Sequence, residues 1–248
     1  MAKKIFDLPK LANPTIEQVL DEFLADQHKR LRPRTLKLYE DVIGLLKSCF
    51  NSYAYQSLAK AESALFEKHF DAEGEQHREF CQIFGPDKIL ENLGEFLGYF
   101  MIRKVISGEE LMRAAGTVTG KLSKWLAESG YVSQSEAKEA AQESAKASRD
   151  LPKAEQAARL IYESTKSLPI DPNEIDEDDY VDFDHFVISR IEPGKIWLEP
   201  SYEARLFGPI SVPKKATELL REGWEISCAL GLSRRKWWIV EMGNVYPP

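Results

Sequence analysis

Cysteine is scarce in this chain, with three residues, Cys49, Cys81 and Cys228, in 248. They lie far apart on apolar stretches, and no two form a CxxC pair. Such a count argues against a disulfide framework or a cysteine-based zinc site and fits reduced thiols in a reducing compartment. Long hydrophobic runs are also lacking, since no stretch approaches the ~20 apolar residues that a membrane helix needs. The opening Met-Ala-Lys-Lys-Ile-Phe-Asp-Leu-Pro has no apolar core of a signal peptide, so the expectation is a cytoplasmic protein with no membrane partner. Familiar enzyme signatures are missing as well: GxxxxGK[ST], GxGxxG, GxSxG and HExxH do not occur. The expectation is a non-enzyme with no cofactor and no metal. An active site built from scattered residues would instead need a deep pocket holding convergent polar groups.

What is present begins with charge. The chain carries 33 Lys+Arg and 40 Asp+Glu, a net of −7, which taken whole argues against the basic footprint of a nucleic-acid binder. Residues 1–133 hold 18 basic and 19 acidic side chains, and residues 134–168 hold 6 of each. Residues 169–186 hold 8 acids and no Lys or Arg, while residues 187–248 hold 9 bases and 7 acids. The negative charge therefore belongs to one short segment, which opens Pro-Ile-Asp-Pro-Asn and reads as a self-repelling acidic linker over 169–185. A calcium loop does not fit, because the sixth position that must be Gly is Val181 for a loop starting at Asp176 and Phe183 for one starting at Asp178. Asp182 and Asp184 would share one face of a strand and could meet a metal, with His185 on the other face.

Residues 1–133 read as all-helical. Thr15 and Gln18 form a capping box ahead of Ile16, Val19, Leu20, Phe23 and Leu24 at helical spacing. A second helix starts at Pro33 and carries Leu36, Tyr39, Val42, Ile43, Leu46, Cys49 and Phe50. Further helices are expected over about 57–70, 75–84 and 86–105, and another from a capping box at Ser107 to an αL stop at Gly130. Around the start of the second helix lie five cations in nine residues: Lys29, Arg30, Arg32, Arg34 and Lys37.

Pro33, Thr35 and Tyr39 make a Pro-x-Thr-x-x-x-Tyr element at the start of the second helix. Trp125-Leu126 then precedes a Gly130-bearing turn. With Thr15-Ile-Glu-Gln-Val-Leu-Asp-Glu-Phe-Leu24, these stretches resemble the core-binding domain of tyrosine recombinases (phage integrases), over about residues 13–133 and with a longer middle. The alternative is a generic helical bundle. The resemblance implies a small helical domain that grips duplex DNA, with Lys29, Arg30, Arg32, Arg34 and Lys37 on phosphates. The bland alternative is that these cations solvate a loop and a helix end. The recombinase catalytic domain is not matched. None of His28, His69, His77 and His185 begins the family's His-x-x-Arg element, so no strand cleavage is expected.

Residues 134–168 follow as Ala-rich linker helices, expected over 134–149, which starts at a Ser133–Glu136 capping box, and over 153–167. After the acidic linker the apolar period changes to that of strands. Strands are expected at 186–191, 195–198, near 204–207, at 224–229 and at 236–240, with a helix over 214–221. That order suits a small β-barrel over 186–248, OB-like or SH3-like. Arg234, Arg235 and Lys236 flank Trp237 and Trp238, whose side chains point to opposite faces of a strand. Trp238 is then a platform for a base, unless it packs on the helix or the bundle.

The chain is thus expected to be an α+β multidomain protein. Its function is expected to be non-catalytic DNA binding or association, an accessory or relic of a mobile element, with duplex DNA as partner. The competing expectation is a protein-interaction adaptor, in which the bundle makes a homo-oligomer and the barrel takes a peptide from a protein partner.

Overall fold

Helices begin in this protein where local side chains satisfy the first amides. The computed structural model describes residues 10–105 and 108–248. Helix α1 (Ile16–His28) opens with the expected capping box: Gln18 N–H donates to Thr15 Oγ1 (3.3 Å) and Thr15 N–H to Gln18 Oε1 (2.9 Å). Helix α2 (Pro33–Tyr53) has Pro33 in its first turn, where a missing N–H costs nothing. It buries the expected stripe from Leu36 to Phe50.

Helix α3 spans Lys60–Phe70 and α4 only Phe80–Ile83. The helix expected over 86–105 is broken into α5 (Asp87–Glu91), α6 (Leu93–Glu95), a π turn (Phe96–Phe100) and α7 (Met101–Arg103). The break has a local cause in Asn92, whose buried side chain donates to Lys88 O (2.8 Å) and so competes with the helical ladder. Gly94 and Gly98 add little helix preference beyond it. Helix α8 covers Glu109–Glu128; the cap expected at Ser107 lies outside the described residues. At its far end Gly130 has φ +78° as expected. Tyr131 N–H reaches Leu126 O (2.9 Å) and Gly130 N–H reaches Ala127 O (3.2 Å), which closes a Schellman turn.

One helix, α9 (Gln134–Thr165), replaces the two expected over 134–149 and 153–167. It starts at the Ser133–Glu136 capping box. Pro152 sits inside it, although proline normally breaks a helix there. Leu151, Ala154, Ala157, Ala158 and Ile161 form a buried stripe, and packing of that stripe outweighs the lost hydrogen bond.

The remaining chain forms β1 (Tyr180–Glu192), β2 (Lys195–Pro200), β3 (Phe207–Ser211), α10 (Lys214–Leu219), β4 (Glu225–Ser233) and β5 (Lys236–Tyr246). The strands make one antiparallel sheet in the order β3-β2-β1-β4-β5. Strand β1 starts six residues ahead of the expected Phe186, inside the acidic stretch. There Tyr180 pairs with Gly231 and Val181 with Leu230, and a bulge before Asp184 restores the register. Ladder bonds are made by the backbone, so acidic side chains do not prevent them.

The expected barrel is not closed. Strands β3 and β5 lie at the two edges of the sheet, and among the described residues no ladder joins them. They meet through side chains instead, with the Phe207 and Trp237 rings 4.9 Å apart at 81°. Strand β3 has only five residues, one of them Pro209, which has no N–H to offer a neighbour.

Two compact units result. One takes the chain up to Phe100 together with Ala114–Lys146, and the other takes Met101–Arg113 together with Ala147–Pro248. The first is helical, with a core that includes Phe23, Phe50, Phe80 and Phe96. The second packs Phe186, Ile188, Leu198, Ile210, Ile226 and Leu230 of the sheet against Ala154, Ala157 and Ile161 of α9. Among the described residues no helix is long and apolar enough to cross a membrane.

Candidate nucleic-acid interface

In the helical unit, Lys29, Arg30, Arg32, Arg34 and Lys37 are all exposed at the junction of α1 and α2. Lys29, Arg30 and Lys37 are engaged with neighbouring side chains. Lys29 Nζ lies 2.8 Å from Asp26 Oδ1, and Lys37 Nζ 2.8 Å from Asp41 Oδ1. Hydrogen bonding to these carboxylates pushes both ammonium groups above the ordinary lysine range. Arg30 donates to the Gln27 side chain. Asp26 also accepts from Trp125 Nε1 (3.0 Å), so the acid next to this cluster ties the loop to the core.

Of the residues that carry the recombinase resemblance, Tyr39 and Trp125 pack together at that core, while Pro33, Thr35 and Gly130 are exposed. Tyr39 stacks on Phe23 with centroids 6.0 Å apart, and Trp125 meets Phe23 edge-on at 5.5 Å. Tyr131 adjoins Trp125 at 5.9 Å and donates its hydroxyl to Glu22 (2.6 Å). Packing alone therefore accounts for Tyr39 and Trp125.

The second cluster sits on a two-residue turn. Ser233 pairs with Lys236, so Arg234 and Arg235 alone connect β4 to β5. Their φ angles are +51° and +64°. Positive φ at both central residues is the geometry of a type I′ hairpin turn, where Asn-Gly is favoured. For a residue with a Cβ this region costs roughly 1–2 kcal/mol. Two arginines thus occupy a turn whose backbone prefers other residues, and Arg234, Arg235 and Lys236 are all exposed.

Strand order brings further groups to this end of the sheet. Trp237 packs against Phe207 at the margin of the core. The Arg205 guanidinium lies 4.7 Å from the Phe207 centroid and 5.9 Å from that of Trp237, within cation–π range. In the loop between β2 and β3, Tyr202 is 72% exposed and Leu206 56%. Tyr202 donates its hydroxyl to Asp184, and this bond raises the phenol above its ordinary pKa. Trp238 lies opposite Gly231, half-buried, with Nε1 buried and unpartnered. Of the two tryptophans, Trp237 is the one that joins the cation-bearing group.

Another cation–aromatic pair lies across β1 and β2. Arg190 opposes Trp197 in the ladder, and its guanidinium sits 4.6 Å from the indole centroid. Trp197 lies against Gly208, where an added Cβ would come 2.6 Å from Trp197 Cδ1. A glycine at 208 is what lets the ring lie down on β3.

Arg190, Trp197, Tyr202 and Arg205 were not singled out from the sequence. Arg205 lies three residues from Tyr202 but 32 from Trp237, and only the approach of β3 to β5 joins them.

A polar group on the sheet unit joins α7 to β1, β4 and β5. Arg103 Nε donates to Tyr246 Oη (2.8 Å), and Arg103 also contacts His185 Nε2. His185 Nδ1 is 3.8 Å from Glu225 Oε2. Asp184 accepts from the His185 backbone N–H (2.7 Å). Among the described residues no group of three or more His, Cys, Asp and Glu is placed to hold a metal ion. Burial pushes the Cys49 thiol up to about 12 and those of Cys81 and Cys228 higher still, which suits packing rather than nucleophilic chemistry. The apolar void lined by Met112, Leu151, Ala154 and Val245 is about 10 Å³, too small for a substrate.

No protein-family model, no curated protein and no solved structure matches the chain.

Proposed function

We propose that this chain is a non-catalytic DNA-binding protein, with its main contact on the Arg234-Arg235-Lys236 turn. One observation carries the reading: two arginines hold an exposed turn at φ +51° and +64°, at a cost to the backbone that Asn-Gly would avoid. A guanidinium fork is the side chain best suited to phosphate oxygens.

The surrounding unit supports it. The strand order β3-β2-β1-β4-β5, the helix between β3 and β4, and the side-chain approach of β3 to β5 favour an OB-like sheet over an SH3-like one. In OB folds the faces of strands 2 and 3 and the loops joining strands 1–2 and 4–5 bind oligonucleotides. Here strand β2 holds Trp197, with Arg190 of β1 beside it, and the loop joining β4 to β5 is the arginine turn. The resemblance of the helical unit to a recombinase core-binding domain supports the same partner. Its candidate phosphate contacts are Lys29, Arg30, Arg32, Arg34 and Lys37, all exposed at the α1–α2 junction.

Fluorescence anisotropy with a labelled duplex tests the reading, with a single strand of equal length in parallel. Three phosphate contacts predict an affinity loss of about fortyfold between 50 and 200 mM salt. Arg234→Glu with Arg235→Glu should remove most of the affinity while leaving the circular dichroism spectrum unchanged. No duplex binding at low salt, or full affinity in the double variant, overturns the proposal.

A second reading, a peptide-binding adaptor, rests on the exposed Tyr202 and Leu206 in the β2–β3 loop. It predicts a protein partner that survives nuclease treatment and is lost in Tyr202→Ala.

A further inference from the structure

We infer that the acidic segment Pro169–Asp179 is a built-in competitor for the arginine turn, holding back DNA from the site proposed above; the inference rests on that reading.

The segment contains six of the eight acids in 169–186, a stretch with no Lys or Arg to neutralise them. Its carboxylates must find cations elsewhere or remain solvated. Two of the residues that carry them lie beside the turn. Asp171 and Glu174 line one open hollow of about 560 Å³ together with Ser233 and Arg234.

Local chemistry fixes the segment in that place. Asp171 Oδ1 accepts from Asn173 N–H and from Asn173 Nδ2, both at 2.9 Å, and this caps the short turn Pro172–Glu174. Ile175 then lies so closely over Gly231 that a Cβ at 231 would collide with Ile175 Cδ1. Gly231 stands two residues before Ser233 on β4, so this contact pins the segment beside the root of the turn. Beyond it, the turn Glu177–Asp179 runs directly into β1, whose first pair is Tyr180 with Gly231.

A row of carboxylates pinned beside an arginine turn presents the same charge as a phosphate backbone. Its field is local, because charges more than ~10 Å apart are screened at 0.1 M salt. The segment therefore weakens binding most at low salt and does not abolish it. A phosphate chain that brings more charge to the turn displaces it.

The test uses the full chain and the same labelled duplex at about 50 mM salt. Asp171→Asn with Glu174→Gln should tighten binding about tenfold. The gain should disappear when Arg234→Ala is added, since the competition acts through that side chain. Glu139→Gln with Glu143→Gln, which removes the same charge from α9, should change affinity less than twofold. Ile175→Ala keeps every charge but loosens the anchor, and should tighten binding about threefold.

A gain that persists in the Arg234→Ala background reflects general repulsion and overturns the inference. So does an unchanged affinity in the Asp171→Asn, Glu174→Gln chain. If the parent chain binds DNA and that variant binds no tighter, the inference alone fails. If neither binds at low salt, the proposed function fails with it.

Discussion

The cation clusters of the helical unit and the sheet unit sit on backbone of different kinds. In the helical unit three lysines are paired with carboxylates within a helical turn or across a packed pair. Lys29 meets Asp26, Lys37 meets Asp41, and Lys47 is shared by Glu17 (3.1 Å) and Asp21 (3.3 Å). In the sheet unit Arg234 and Arg235 sit on a backbone that disfavours them, and half-buried Glu155 lies against the apolar void at Met112, Leu151 and Ala154. Burial raises the Glu155 carboxyl above its ordinary value of 4.5. Charges of the first kind support the fold they belong to. Charges of the second kind oppose it, and residues retained against stability mark the places where a site outweighs the fold. The comparison is the reason the proposed DNA contact is put in the sheet unit, although the recombinase resemblance lies in the helical one.

The largest expected effect tests the structural side of this contrast. Trp125→Ala removes an indole from the Phe23–Tyr39 cluster and its hydrogen bond to Asp26, and should cost about 3 kcal/mol in urea denaturation. The fraction that remains folded should bind DNA as the parent chain does. If affinity fell while stability held, the aromatic cluster would be a contact surface and the contrast would be broken.

The next effect has the opposite sign. Arg234→Asn with Arg235→Gly supplies the residues that the turn geometry prefers, and should stabilise the protein by about 1–2 kcal/mol. DNA affinity should fall at the same time. A variant that is both less stable and weaker in binding would show that the arginines hold the turn together, and would remove the reason to read them as functional.

Legibility in the sequence follows a similar division. The capping boxes at Thr15 and Ser133, the proline start of α2 and the glycine stop at 130 were readable because each is settled by residues three or four positions apart. The single helix through Pro152 was not, since it depends on the apolar stripe from Leu151 to Ile161 finding a partner. Strand β1 was hidden between Tyr180 and His185 because its acidic side chains resemble linker, while its ladder is made by backbone groups paired with β4. At the candidate site, Arg234, Arg235 and Lys236 stand together in sequence and were legible. Arg205, Tyr202 and the Arg190–Trp197 pair were not, because strand order alone assembles them.

The smallest effect is a pair of opposed pH dependences. Glu17 accepts from Gln82 Nε2 (3.0 Å) and lies beside Lys47; the Gln82 bond, with further help from Lys47, lowers its carboxyl below the ordinary 4.5. A depressed folded pKa adds stability that is present above about pH 4.5 and is lost as pH falls through the folded value. Glu17→Gln should therefore lower the melting temperature at pH 7, and the difference should close on acidification. Glu155 is raised chiefly by burial, against the pull of Arg159, so its sign is reversed. Its proton is held more tightly when folded, which favours folding at low pH, and that benefit is lost as pH rises through the raised value. Glu155→Gln should then raise the melting temperature at pH 7 by a degree or so, roughly the shift of a few tenths of a kcal/mol in a chain of this size. That difference should also shrink toward pH 4. Circular dichroism melts of the two variants at pH 4 and pH 7 measure both slopes, and slopes of equal sign would mean that the two units treat a carboxylate alike.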